Sequence, residues 1–223
     1  IGFLSGISAG AGVIVARFFG AGDEKNLQRA VHTTVAFGLV AGGLMTGVGV
    51  ALSPQILRWM DTPESVMRES VTYLQIYFAG SLGFVMYNVL VGILQAVGDS
   101  RHPLYYLIVS SVINLVLDLL FITGFHTGVG GAAVATVISQ IVSALLCFWQ
   151  LLRTKESYGL KIRKIRFDKG ILVQIIKIGL PSGVQNSIIA FANVIVQSNI
   201  NAFGEMAMAG YGAYTKVEGF GFL

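Results

Sequence analysis

The sequence predicts an all-α polytopic membrane protein, and its composition and glycine content carry that prediction. Of its 223 residues, 54% are apolar and only 12% are charged, whereas soluble globular domains have about 45–50% and about 25%. Its 28 glycines agree, since Gly is more frequent in transmembrane helices than in soluble ones. This composition excludes a soluble enzyme domain, a disordered chain and a nucleic-acid module, and the lone Cys147 excludes an intrachain disulfide scaffold.

Six stretches have about the 20 mostly apolar residues that a helix needs to cross a bilayer. They are residues 1–19, 31–56, 71–97, 104–125, 129–152 and 171–203. A seventh begins near Met206. A transmembrane barrel is excluded because the stretches are long, rich in Ala, Leu and Gly, and lack alternation. We expect an internal fragment of a longer protein, because both ends of the sequence fall inside apolar runs.

Helix-breaking residues separate these stretches. Residues 20–23 end the first, residues 61–64 form a polar loop after the second, and residues 98–103 form a tight turn with Pro103 at a helix start. The short connection at residues 124–128 predicts that the fourth and fifth spans pack antiparallel. Three G-x-x-x-G pairs predict close helix packing within the molecule rather than a dimer face: Gly6/Gly10, Gly38/Gly42 and Gly43/Gly47.

Basic residues predict the orientation. Loops on one side of the predicted bundle carry Lys and Arg, most of all the hydrophilic connection 153–170, whereas the opposite loops hold only Arg58 and Arg68. The basic side is predicted to be cytoplasmic. Residues 161–167 combine four basic with three apolar side chains and could bind anionic lipid head groups. The favoured interpretation is a loop that only fixes the topology.

Asp118 is the only acidic residue well inside a complete span. That position costs about 2.5–3.5 kcal/mol on insertion scales, so intramembrane acids usually face the bundle interior and serve a function. Asn114 lies one turn earlier on the same helix face. A carboxylate beside an amide oxygen is suited to exchanging a proton with a hard cation. A purely structural Asp, bonded to neighbouring helices, is the alternative.

Further polar residues in the spans predict a wet cavity. Asn88 and Gln95 are seven residues apart and share a helix face. The sixth span is rich in amides, among them Gln185 and Asn193, and Pro181 should kink it. Each amide alone more often forms a hydrogen bond between helices than a contact with a substrate.

Two motifs are set aside. Residues 128–133 match the G-x-G-x-x-A dinucleotide pattern, but no βαβ context surrounds them. The three histidines, His32, His102 and His126, are scattered near span ends and are interpreted as interfacial rather than metal-ligating.

The sequence resembles the multidrug and toxic compound extrusion (MATE) family, in particular its DNA-damage-inducible-F-like and archaeal branch. The resemblance rests on residues 19–23 (Phe-Gly-Ala-Gly-Asp), 92–99 with Pro103, 114–118 (Asn-Leu-Val-Leu-Asp), 128–133, 178–181, 203–204 and 208–211. It implies a fragment of a twelve-helix, two-lobe transporter, from about helix 2 to the start of helix 8. Residues 1–152 would be the amino-terminal lobe without its first helix, 153–170 the cytoplasmic inter-lobe loop, and 171–223 the start of the carboxy-terminal lobe.

The resemblance also implies site residues. Asp118 and Asn114 are similar to the core of the amino-lobe cation site in that branch, with Thr136 as an oxygen ligand and Tyr73 as a peripheral partner. A second essential Asp belongs to the first helix, which is absent here. Na⁺ at Asp118, Asn114 and Thr136 is compatible with these oxygen ligands, and a proton on Asp118 is the alternative.

The predicted function is secondary active multidrug efflux by Na⁺ or H⁺ antiport and alternating access. The exported compounds would be organic and amphipathic, with cations favoured; no covalent chemistry and no cofactor beyond the coupling ion are expected. Expected partners are the lipid bilayer and small substrates, not nucleic acid, for a monomer in the plasma (inner) membrane. The alternatives are a lipid-linked sugar flippase of the same superfamily, a non-transporting scaffold or remnant, and, third, a membrane-embedded enzyme.

Overall fold

The computed structural model describes residues 2–59, 64–125, 128–201, 210–212 and 214–215, and within these ranges it is helical without strands. Seven α-helices follow one another, with a π-helical segment at Leu120–Gly124 and a 3₁₀ turn at Ile162–Lys164. The α-helices are α1 (Gly2–Gly20), α2 (Glu24–Trp59), α3 (Glu64–Ala79), α4 (Ser81–Ala96), α5 (Arg101–Leu119), α6 (Gly128–Arg153) and α7 (Lys169–Asn201). The predicted all-α class is confirmed; the seventh stretch, near Met206, lies outside the described residues.

Five segments of the described chain are long and apolar enough to cross a membrane: α2, α3 with α4, α5 with the π segment, α6 and α7. The first predicted stretch forms α1, an apolar helix of 19 residues. Helix α2 has 36 residues and is therefore about 54 Å long, whereas the hydrocarbon core is about 30 Å thick. Its first turns, which carry Lys25 and Arg29, therefore extend the helix well beyond the apolar stretch that starts at residue 31.

The third predicted span is interrupted, which the sequence did not predict. Helix α3 ends at Ala79, Gly80 forms a turn, and α4 begins at Ser81. A side chain at Gly80 would meet Val137 of α6, because an added Cβ would lie 2.4 Å from a Val137 methyl carbon. The break therefore sits where α6 presses against the backbone of the span.

The helix ends lie at the predicted turns. Gly22 and Gly98 have φ of +67° and +86°, a region that suits glycine. Asp23 starts α2, since its Oδ1 accepts from the Asn26 backbone N–H at 3.1 Å and its Oδ2 from the Asn26 amide at 2.6 Å. These hydrogen bonds from Asn26 hold the pKa of Asp23 below its usual value.

Helix α4 is the centre of the packed bundle, in contact with α1, α2 and α6. Its buried side chains include Val89, Leu90, Ile93 and Leu94, each at most 1% exposed. Helix α5 packs mainly on α6, as the short connection predicted, and α1 packs most extensively on α7. The large apolar side chains of α5 that point away from α6 are exposed, as expected for a surface that lipid would cover.

Glycines allow close approach in two helix pairs, and in the α1–α7 pair the contact is between the two backbones. A Cβ added at Gly6 would lie 2.3 Å from the Gly183 nitrogen, and one at Gly10 would lie 2.5 Å from the Gly179 Cα. The second pair, Gly38 and Gly42 of α2, faces α4 side chains. These two glycine pairs make close contacts within the chain, and the absence of a dimer face there stays a prediction. The third pair, Gly43/Gly47, has no described neighbour within 4 Å of an added Cβ.

The connection between α6 and α7 folds back onto the first turns of α2. The ring of His32, which is buried, contacts the Gln28 carbonyl at 2.6 Å through Nδ1 and accepts the Lys161 backbone N–H at 3.0 Å through Nε2. Because the carbonyl can only accept, the ring proton is on Nδ1. His32 is therefore a structural anchor for the connection.

We expect His32→Phe to release this connection. The substitution keeps the buried volume but removes the acceptor for the Lys161 N–H, and a lost hydrogen bond worth about 1 ± 0.5 kcal/mol corresponds to a several-fold shift toward the open connection. Trypsin should then cleave at the basic residues of the connection several-fold faster. His102→Phe is the matched control, because His102 is half-exposed, pairs with Asp99 of its own turn and lies against the Tyr106 ring, so it does not anchor the connection. Equal cleavage rates in the two variants would contradict the anchoring role.

Candidate functional site

The predicted cation-coupling residues lie on one face of α5. Asn114 and Asp118 are one turn apart and half-buried, and Ser110 continues the face one turn earlier. The Asn114 Nδ2 and Asp118 Oδ1 atoms are buried without a hydrogen-bond partner among the described residues. An unpaired buried polar atom costs about 1–3 kcal/mol. Asp118 Oδ1 is an acceptor that a cation or a proton could satisfy, whereas Asn114 Nδ2 is a hydrogen-bond donor and would need an acceptor.

Helix α6 carries three hydroxyl side chains that follow one another along the helix. Thr136 donates to the Ala132 carbonyl at 3.0 Å, Ser139 to the Thr136 carbonyl at 2.8 Å, and Ser143 to the Ser139 carbonyl at 3.1 Å. Each hydroxyl proton is thus used within the helix, and the oxygen lone pairs are left to accept. The short connection places Asp118 and Thr136 at similar distances from the turn between α5 and α6. We therefore expect these oxygens to line the same interface as Asp118.

Sequence reasoning missed Ser139 and Ser143. Both are buried, at 6% and 3% exposure, and they continue the helix face of Thr136 at spacings of three and seven residues. That periodicity was the available signal, although serines in apolar helices are commonly packing residues.

Tyr73, the predicted peripheral partner, lies on α3. It is 38% exposed and stacks on Tyr77, with the ring centroids 6.4 Å apart. Helix α3 packs on α2 and α6. Tyr73 thus belongs to an element that contacts the helix of Thr136, and its role at the cation site stays a prediction.

Asn88 and Gln95 line one cavity between α1 and α4, as their shared face predicted. The cavity has a volume of about 470 Å³, and small residues of α1, including Ser8 and Gly12, form its other wall. The Asn88 amide nitrogen donates to the Phe84 carbonyl at 2.8 Å, so its oxygen and its second N–H are available to a ligand. No Lys or Arg is among the described residues that line this cavity.

The other two predicted cavity residues lie elsewhere. Gln185 lines a separate surface depression on α7 together with Pro181, and Asn193 is exposed. Helix α7 runs continuously through Pro181. Proline has no N–H to donate, so the helix lacks one hydrogen bond there, and the hinge stays a prediction.

The donor set that the sequence predicts at Asp118 would fit a hard cation or a proton. One carboxylate with amide and hydroxyl oxygens is typical of alkali or alkaline-earth ions rather than transition metals. Among the described residues, no group of three or more His, Cys, Asp or Glu side chains could hold a metal. Of the three histidines, His32 is a structural anchor, His102 pairs with Asp99, and His126 lies outside the described residues.

The fold and this polar interface define a multi-span helical membrane protein with polar groups buried between its helices. Residues 1–120 match the family model described as MatE. The chain belongs to the multidrug and toxic compound extrusion (MATE) family.

Relatives and solved structures agree with this membership. The chain is 32% identical over 227 residues to the probable multidrug resistance protein YoeA of Bacillus subtilis (strain 168), covering 99% of this chain and 49% of that protein. It is similar to an inward-facing and an outward-facing structure, each of a multidrug resistance MATE family transporter of the MOP superfamily. For the inward-facing structure the TM-score is 0.84 at 26% identity, covering 99% of this chain and 50% of that chain. For the outward-facing structure the TM-score is also 0.84, at 25% identity, covering 97% of this chain and 48% of that chain. The chain thus spans about half the length of the proteins it matches.

Proposed function

We propose that the whole protein to which this chain belongs is a secondary active exporter of organic, amphipathic, mainly cationic compounds, driven by a gradient of Na⁺ or H⁺. The observation that carries the proposal is the buried, unpartnered Asp118 Oδ1 atom in a helix long enough to cross a membrane. The family membership and the multidrug resistance names of the relatives support the substrate class. Transport moves a substrate without covalent change, so we propose no enzymatic activity and no cofactor beyond the coupling ion.

Asp118 would couple ion and substrate by favouring one conformational state. A cation or proton bound between α5 and α6 supplies the partner that Asp118 Oδ1 lacks and stabilises the arrangement in which these helices pack closely. Export requires that ion and substrate prefer different states, because a ligand shifts an equilibrium only through its differential affinity. A coupling free energy of about 1–3 kcal/mol, a factor of roughly 5–150, is typical.

The proposed lobes fit this mechanism. Residues 1–152 would form most of one lobe, 153–170 the cytoplasmic connection, and residues from 171 onward the start of the second lobe. The chain is equally similar to an inward-facing and an outward-facing structure, with a TM-score of 0.84 in each case. Similarity to both conformations is expected if the packing within the lobe changes little while it reorients.

A direct test follows substrate uptake by the full-length protein in inverted membrane vesicles. A fluorescent organic cation is added under an imposed proton gradient, sodium gradient or neither. We expect accumulation under one of the two gradients, which identifies the coupling ion. Equal uptake with and without both gradients would contradict the proposal.

The cavity between α1 and α4 is the proposed substrate site. Replacing Asn88 and Gln95 together with Ala removes its two amides, and we expect the apparent KM for polar cations to rise at least about tenfold. A single lost hydrogen bond to a charged group is worth about 1.5–3 kcal/mol, and a factor of ten corresponds to about 1.4 kcal/mol. The dependence on the ion gradient should persist. Asn199→Ala is the control, because Asn199 makes the same bond to a carbonyl of its own helix but is exposed on α7. An unchanged KM in the double variant would remove these residues from the substrate site.

The flippase alternative is disfavoured by this cavity. A lipid-linked pyrophosphate needs cationic groups, and the described lining residues include none.

A further inference from the structure

A basic cleft lies where the connection between α6 and α7 meets the start of α2. It has a volume of about 450 Å³, within the roughly 300–1,000 Å³ range of small-molecule pockets. Five cationic side chains and one carboxylate line it: Lys25, Arg29, Arg163, Lys164, Arg166 and Asp168.

Most of this positive charge has no internal counterion. Asp168 pairs with Arg29 at 3.4 Å and also starts α7, because its Oδ1 accepts the Ile171 N–H at 3.1 Å. The other four cations make no ion pair with any residue that the structure describes. Like charges around one cleft repel each other, so an anion bound there would relieve the repulsion.

The backbone of the connection is held in place by α2, so the cleft does not depend on a loose loop. Besides the His32 anchor, the Thr33 hydroxyl accepts the Asp168 N–H at 3.1 Å. The Gln28 amide nitrogen donates to the Ser157 carbonyl and to the Gly159 carbonyl, the latter at 3.1 Å. These contacts hold both walls of the cleft at the end of α2 that extends past its apolar stretch.

Two further features point to a lipid rather than a soluble anion. Ile162 and Phe167, which flank the three residues of the connection whose basic side chains line the cleft, are 62% and 45% exposed. Apolar side chains beside cations are typical of a segment that lies in the membrane interface. In addition, Gln28 lines the cleft, and its buried Oε1 atom has no partner among the described residues. A hydroxyl group of the ligand would donate to this oxygen.

We propose that the cleft binds the phosphoglycerol head group of an anionic membrane lipid. The phosphate would lie among Arg163, Lys164, Arg166 and Lys25, a glycerol hydroxyl would reach Gln28, and the acyl chains would leave past Ile162 and Phe167. This binding is independent of the proposed transport, because none of these residues belongs to the Asp118 site or to the α1–α4 cavity.

The test measures lipid binding by native mass spectrometry of the full-length protein in detergent. Short-chain phosphatidylglycerol is titrated against phosphatidylcholine of the same chain length. We expect phosphatidylglycerol to bind at least about tenfold more tightly, and increasing salt to weaken its binding but not that of phosphatidylcholine. Equal affinities for the two lipids would overturn the proposal.

Charge-removing variants locate the site. Arg163→Gln with Lys164→Gln should weaken phosphatidylglycerol binding roughly 30-fold, since each cation near an anionic lipid surface contributes about a factor of five. Lys155→Gln with Lys161→Gln removes the same charge from exposed positions of the same connection outside the cleft, and should change it less than about threefold. Equal losses in the two double variants would show only non-specific attraction and would overturn the cleft as the site.

A competition experiment distinguishes the source of the phosphate. Glycerol phosphate and inorganic phosphate are added to the protein bound to phosphatidylglycerol. We expect neither to displace the lipid at equal concentration, because they lack the acyl chains that Ile162 and Phe167 would contact. Displacement by either one would overturn the lipid assignment in favour of a soluble phosphate. The salt dependence of the native protein decides the question even if a double variant does not fold.

Discussion

Asp118→Asn is expected to reduce gradient-driven export by the full-length protein at least about tenfold, within the 5–150-fold range of typical coupling. Asparagine has nearly the same shape but no charge to exchange, so an ion gradient no longer biases the two states. Binding of the organic substrate should change little, because the α1–α4 cavity does not include Asp118. The measurement compares uptake into inverted vesicles with equilibrium binding of the same fluorescent cation.

Asp23→Asn is the matched control for this substitution. It makes the same chemical change at a half-buried helix start outside the predicted spans, where Asn is as good a cap as Asp, and we expect full activity. If Asp118→Asn exports as well as the control, the buried acid is structural and the proposed coupling mechanism is wrong. A variant that loses substrate binding together with transport would also count against a separate coupling role.

Gly10→Ala is expected to destabilise the protein by about 2–3 kcal/mol, at the upper end of typical overpacking costs. The new Cβ would lie 2.5 Å from both the Gly179 Cα and its nitrogen. Both atoms are backbone, so no side-chain rotation relieves the contact, and α1 and α7 must move apart. The loss should appear as a lower temperature at which the detergent-purified full-length protein loses its monodisperse peak.

Gly12→Ala, two residues away on the same helix, is the control for this experiment. Its Cβ would be 3.5 Å from the Gly92 carbonyl oxygen, an ordinary contact, so we expect little change or a slight gain from the better helix propensity of Ala. Equal thermal stability in the two variants would mean that α1 and α7 are not packed as closely as the structure shows.

The sequence predicts the spans well because the bilayer requires long apolar helices, and length and hydropathy record that requirement directly. The break at Gly80 is a different matter. A glycine within an apolar run has the same pattern whether the helix continues or stops, and only the approach of Val137 from α6 distinguishes the two. The extension of α2 to Lys25 and Arg29 was missed for a related reason. Hydropathy marks only the apolar part of a helix, and α2 continues beyond that part into polar residues.

For the polar site, too, the sequence predicts local features but not the contacts between helices. The shared faces of Asn114 with Asp118 and of Asn88 with Gln95 follow from helix periodicity, which is local. Which neighbouring helix a face meets is a tertiary property, so the sequence grouped Gln185 and Asn193 with a cavity that lies between two other helices. Ser139 and Ser143 were missed because a hydroxyl bonded to its own helix leaves no distinctive pattern of composition.

The glycine contact between α1 and α7 also fixes how these helices can move. Gly6 meets Gly183 and Gly10 meets Gly179, so the register is set by two pairs spaced one helical turn apart. A shift by less than a turn would drive a side chain into backbone, and a shift by a full turn would keep only one of the pairs. The two helices are therefore expected to resist sliding past each other along their axes. Since α1 also forms one wall of the α1–α4 cavity, a reorientation of the two proposed lobes has to open the α1–α7 contact beside the wall that faces Asn88 and Gln95.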